Sequence, residues 1–153
     1  MKVLWAPWRM EYIVSEKEKE CIFCVRAAAR NDRENLVLYR GSTVFVMMNK
    51  YPYNNGHLLV IPYSHQSSLS GIDETTRLEL MNTTQLCMEA LGIFRPEAFN
   101  IGINIGKVAG AGVEEHIHIH IVPRWGGDTN FMAVTGETRV IPEHILDTYD
   151  KLY

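Results

Sequence analysis

Hydrophobic and polar positions alternate strictly along His116-Ile117-His118-Ile119-His120-Ile121 before closing on Val122. A period of two belongs to a β-strand, and it sends three histidines to one face and the isoleucines to the other. Further β-branched and aliphatic runs predict strands over Asn35–Tyr39, Thr43–Met48, His57–Ile61 and Phe99–Ile105. Gly41 and the turn cluster Pro52–Gly56 separate the first three, which points to an antiparallel meander. From Asp73, a suitable N-cap, the period lengthens to that of a helix reaching Leu91, ahead of Gly92 and Pro96. Leu80, Cys87, Met88 and Leu91 share one face of it, so the helix is expected to cover the sheet, with Cys87 as a buried small hydrophobe. An alanine-rich stretch after Cys21 and Cys24 predicts a helix to about Arg30, and Pro142 is expected to begin a terminal helix running toward Leu152. Trp125–Thr138, irregular and rich in glycine and polar residues, reads as a loop or a partner surface. The pattern is α+β.

Composition narrows the class. A chain of 153 residues with 46% hydrophobic and 22% charged positions suits one globular domain, taken as residues 1–153. It has neither a bilayer-length apolar run nor a secretory leader, so the expected location is the cytoplasm, without a membrane partner. A net charge of −3 argues against a nucleic acid polymer as partner, because such binding needs clustered cations. Any bound nucleotide should therefore be small. Three cysteines, two of them in Cys21-Ile22-Phe23-Cys24, argue against a disulfide framework. That spacing fits half of a metal site or a redox pair, and alone does not choose between them.

The histidine run carries the chemistry. Residues two apart on a strand lie about 6.6 Å apart and residues four apart about 13 Å, so three in-line imidazoles are poorly placed to share one metal. A division of labour along the strand fits better, with the middle residue, His118, as the reactive one. Neutral imidazole is a nucleophile near pH 7, and the hydrogen bond to one ring nitrogen selects the other for attack. The preceding loop, Gly106-Lys107-Val108-Ala109-Gly110-Ala111-Gly112, offers backbone N–H groups to a phosphate, although spaced glycines equally suit a strand connection.

His116-Ile117-His118-Ile119-His120-Ile121-Val122 resembles the signature of the histidine triad (HIT) superfamily. Asn49-Lys50-Tyr51-Pro52-Tyr53-Asn54-Asn55-Gly56-His57-Leu58-Leu59-Val60-Ile61-Pro62 resembles that superfamily's first pocket strand and turn. Trp5-Ala6-Pro7-Trp8-Arg9, the glycine loop and Pro123–Met132 resemble its bacterial dinucleoside polyphosphate phosphorylase-like branch. The resemblance implies a HIT-like fold: a five-stranded antiparallel sheet with a long helix and a C-terminal helix, paired across a homodimer. It implies that His118 becomes covalently nucleotidylated while His120 and His57 line the phosphate pocket. Asn49 would hold ribose, and the nucleotide-binding set extends to Asn104, Gly110, Gly112 and His116. Asn104 also suits a strand-end cap. The resemblance further implies a structural zinc on Cys21, Cys24, His65 of Pro62-Tyr63-Ser64-His65, and His116. One departure bears on substrate: Val113-Glu114-Glu115 stands where many relatives carry hydroxyl and amide side chains.

The expected activity is cleavage of a dinucleoside polyphosphate, such as diadenosine tetraphosphate, through a nucleotidyl-histidine resolved by water or inorganic phosphate. A nucleoside phosphoramidate hydrolase and a non-catalytic purine-nucleotide-binding module are the alternatives. A redox protein built on Cys21 and Cys24 would need a thioredoxin-like βαβ pattern, which does not surround them.

Overall fold

In the computed structural model, residues 20–128 and 140–153 are described. The opening Trp5–Arg9 motif and the stretch containing Phe131 lie outside them.

The chain runs α1 (Ile22–Ala28), β1 (Val37–Arg40), β2 (Val44–Met48), β3 (Leu58–Pro62), α2 (Glu74–Leu91), β4 (Ala98–Gly102), β5 (Ile119–Arg124) and α3 (Ile145–Leu152). The strands form one antiparallel sheet in the order β1-β2-β3-β5-β4, so the expected meander is its first half. Every residue of β2 and β3 is buried, because both faces of these central strands are covered. On one face Val44, Val46, Leu58, Val60, Ile119 and Ile121 pack with Leu80, Cys87 and Leu91 of α2. On the other, Phe45, Met47, Leu59 and Ile61 pack with Phe23 of α1. Burial pushes the Cys87 thiol up to about 12, which keeps it protonated and inert.

Local chemistry sets the ends of the elements. Asp73 caps α2, accepting from the Thr76 hydroxyl at 2.7 Å and the Thr76 amide at 2.9 Å, and this bonding, the hydroxyl first, holds its carboxyl below the usual range. The Arg40 side chain fastens the C-terminal end of α1 to the sheet. It donates to the Ala27, Arg26 and Ala29 carbonyls at 2.7, 3.2 and 2.8 Å while pairing with Asp32. Tyr149 of α3 is buried and donates its hydroxyl to the Val37 carbonyl at 2.8 Å, tying the C-terminal helix to β1.

Three expected boundaries shift. Pro142 lies ahead of α3, whose N-cap is His144, with its ring nitrogen accepting from the Leu146 amide. The fourth strand stops at Gly102, which leaves Asn104 half-buried beyond the ladder. The fifth begins only at Ile119, so of the three alternating histidines His120 alone lies within it. The cause sits at Pro62, which has no N–H to continue the ladder and whose carbonyl is taken by the His116 ring at 2.8 Å. Ile117 instead donates its amide to the Gln66 carbonyl at 2.6 Å.

Candidate active site and metal centre

His116, His118 and His120 remain buried on the face opposite Ile117, Ile119 and Ile121, so the alternation persists where the ladder does not. His57, on the turn entering β3, is also fully buried. The His118 and His120 ring centroids lie 4.7 Å apart, and those of His57 and His120 lie 5.2 Å apart. The three residues expected to be catalytic therefore form one cluster.

Hydrogen bonding selects the proton on each ring. The Tyr53 amide donates to His57 Nδ1 at 3.0 Å, and Asn49 Nδ2 approaches the same nitrogen at 3.3 Å. An accepting Nδ1 leaves the proton of neutral His57 on Nε2, which donates to His120 Nδ1 at 3.0 Å. His120 then carries its own proton on Nε2, a buried atom with no partner among the described residues. His118 is set the other way. Its Nδ1 donates to the His116 carbonyl at 2.9 Å, so Nε2 keeps its lone pair. Burial lowers the pKa of His118, and burial followed by repulsion from His118 lowers that of His120 to about 4. The cluster thus places an uncharged nucleophilic nitrogen beside a fixed, uncharged N–H donor.

The fourth histidine faces elsewhere. His116 donates Nε2–H to the Pro62 carbonyl, which leaves the Nδ1 lone pair 3.3 Å from Cys21 Sγ and 3.6 Å from Cys24 Sγ. His65 Nδ1 lies 3.3 Å from Cys24 Sγ, and all four ligand atoms fall within 4.8 Å of one another. A tetrahedral zinc has ligand-to-ligand edges of about 3.3–3.8 Å, so the set closes on such an ion with little movement. Burial, then the neighbouring Cys21, raises the pKa of Cys24, a penalty that a bound cation would reverse. Two thiolates and two imidazoles fill four positions and leave none open for substrate.

The glycine loop is a separate feature. Gly106 and Gly110 adopt φ of +84° and +89°, which only glycine takes readily. A Cβ at Gly110 or Gly112 would meet nothing within 4 Å, so the loop is open rather than packed. Glu114 and Glu115 are exposed. Two residues of the cluster escaped the sequence reading: Phe23, between the metal-site cysteines, and Tyr53, whose ring stacks on His120 at 5.7 Å. The position of Phe23 inside the C-x-x-C motif was the available signal.

The HIT domain family matches residues 30–127, more than half of the chain. This protein belongs to the HIT family. It is 40% identical over 154 residues to a Mycobacterium tuberculosis protein named AP-4-A phosphorylase, covering 95% of this chain and 79% of that one. The fold is similar to that of a zinc-bound histidine triad family protein from Mycobacterium smegmatis, with a TM-score of 0.67 and 26% identity over 87% of this chain and 90% of the other. It is also similar to a hypothetical histidine triad nucleotide-binding protein from Sulfolobus tokodaii, with a TM-score of 0.61 and 29% identity over 86% of each. Among the described residues of this HIT protein, no helix is long and apolar enough to cross a membrane.

Proposed function

We propose that this HIT protein is a dinucleoside polyphosphate phosphorylase acting on substrates such as diadenosine tetraphosphate. The reading rests on one observation, the lone-pair Nε2 of His118 beside the buried Nε2–H of His120, which has no partner among the described residues. His118 Nε2 attacks an α-phosphorus, the bond to the bridging oxygen breaks, and ATP departs from an adenylyl-imidazole. The His120 N–H, aligned by His57, supplies a hydrogen bond to the phosphate oxygens as charge develops on them. Inorganic phosphate then attacks the adenylyl group, releasing ADP and free His118. The name of the 40% identical relative favours phosphate over water as the acceptor.

Asn49, beside His57, is assigned to the ribose, and Asn104, Gly110, Gly112 and the backbone around His116 to the rest of the nucleotide. Zinc on Cys21, Cys24, His65 and His116 would have a structural role, cross-linking α1 to the β3 and β5 segments; the zinc-bound relative supports the choice of ion. One HIT domain over residues 1–153, a homodimer and a cytoplasmic location complete the reading. Strand β4 ends the sheet among the described residues and exposes Ile101, which supports pairing with a second copy. Chromatography of products from diadenosine tetraphosphate tests the acceptor. ADP plus ATP only with phosphate present supports phosphorolysis, whereas AMP plus ATP, or ADP alone, with and without phosphate would mean hydrolysis.

A further inference from the structure

Phe23 occupies the second of the two positions between Cys21 and Cys24, yet its side chain belongs to the reaction cluster as much as to the metal centre. It is the buried residue of α1, 4% exposed, and its ring inserts into the face of the sheet that carries the histidines. There it meets His116 edge-on, with centroids 5.5 Å apart and planes at 84°. It meets His118 more closely, at 4.9 Å and 60°. Besides packing against the His120 ring 4.7 Å away, His118 is fixed by the Nδ1–H bond to the His116 carbonyl, and one hydrogen bond does not stop an imidazole from rocking about it. An aromatic ring packed edge to face supplies the second constraint.

The helix bearing Phe23 is itself held at both ends. Cys21 and Cys24 set its start against His116 and His65, each pair with an Sγ–Nδ1 distance of 3.3 Å, and Arg40 ties its finish to the sheet. Phe45, Met47, Leu59 and Ile61 back the ring from the sheet side. A ring so placed has little freedom, and neither does what it touches.

We propose that Phe23 is a positioning residue for nucleotidyl transfer, holding the His118 imidazole so that Nδ1–H stays on the His116 carbonyl and Nε2 stays aligned for attack. The closed metal centre thereby takes part in catalysis without touching substrate: it anchors the helix that anchors the nucleophile. This inference rests on His118 being the nucleophile.

The test compares Phe23→Ala and Phe23→Leu in the full zinc-loaded chain, with diadenosine tetraphosphate and inorganic phosphate as substrates and His118→Ala alongside. Three quantities are read: kcat against KM, bound zinc per chain, and the 15N resonances of the His118 ring. The expected result for Phe23→Ala is a kcat lower by about tenfold to hundredfold, KM within about twofold, and zinc retained. Its His118 nitrogens should move from the separated shifts of one tautomer toward averaged values. Phe23→Leu, which keeps most of the bulk, should lie between Phe23→Ala and wild type. If Phe23→Ala does not fold, Phe23→Leu carries the test on the same readouts. Unchanged kcat and unchanged His118 resonances in a folded, zinc-bound variant would overturn the proposal, as would a kcat loss that merely tracks lost zinc. Full activity in His118→Ala would instead overturn the nucleophile assignment beneath it.

Discussion

His57 Nε2 lies 3.0 Å from His120 Nδ1, and because the Tyr53 amide occupies the other nitrogen of His57, the direction of that hydrogen bond is settled. A backbone N–H in a turn thus dictates the tautomer of His120, two rings away. Replacing His57 by Ala frees His120 to place its proton on either nitrogen. We expect kcat to fall about tenfold to hundredfold with a small change in KM, measured by steady-state kinetics.

Titration of His120 couples the cluster to stability. Its folded pKa, about 4, lies below the ordinary value of 6.5, so the unfolded chain binds its proton first as pH falls. The stabilisation from keeping it neutral is complete above about pH 6.5 and is lost progressively as pH drops toward 4. Thermal melts of wild type should decline between pH 7 and pH 5 more steeply than those of His120→Gln. Parallel declines would contradict the burial argument.

Chelation should expose two thiols and not three. Cys21 and Cys24 are partly accessible, whereas Cys87 is buried under α2 with its thiol pushed up to about 12. A chromogenic disulfide should react with two cysteines per chain in the native protein after metal removal, and with a third only in denaturant.

Gly56 should resist substitution. Its φ is +73°, and an added Cβ would meet Leu91 Cδ2 at 3.0 Å. Gly56→Ala combines strained backbone with a clash next to His57, so a loss on the order of 1–2 kcal/mol is expected in urea unfolding.

Arg40→Ala would leave the last carbonyls of α1 without their guanidinium, and Arg40→Lys would not restore the fork. A loss of about 1–3 kcal/mol is expected for the alanine variant by the same measurement, together with weaker metal retention.

The fold was readable where one physical signal acted alone. The Asp73 cap and the apolar face of Leu80, Cys87 and Leu91 located α2, and the period-two runs located the strands. Boundaries moved where tertiary partners intervened: the His116 ring captures the Pro62 carbonyl, and the ladder stops at Ile119, three residues beyond His116. The metal set was complete on paper only with the family resemblance, because Cys21 and Cys24 are far in sequence from His65 and His116. Phe23 and Tyr53 went unread for a different reason. Their contribution is contact with histidines brought from other parts of the chain, and the place of Phe23 inside the C-x-x-C motif marks that residue without showing what it touches.

The most direct test of His118 as nucleophile is acid-free quenching of the enzyme with diadenosine tetraphosphate in the absence of inorganic phosphate, followed by peptide mass spectrometry. An adenylyl group on the His118 peptide, discharged to ADP when phosphate is added and absent in His118→Ala, is the expected result. Turnover without any adduct, or an adduct that persists in His118→Ala, would contradict it.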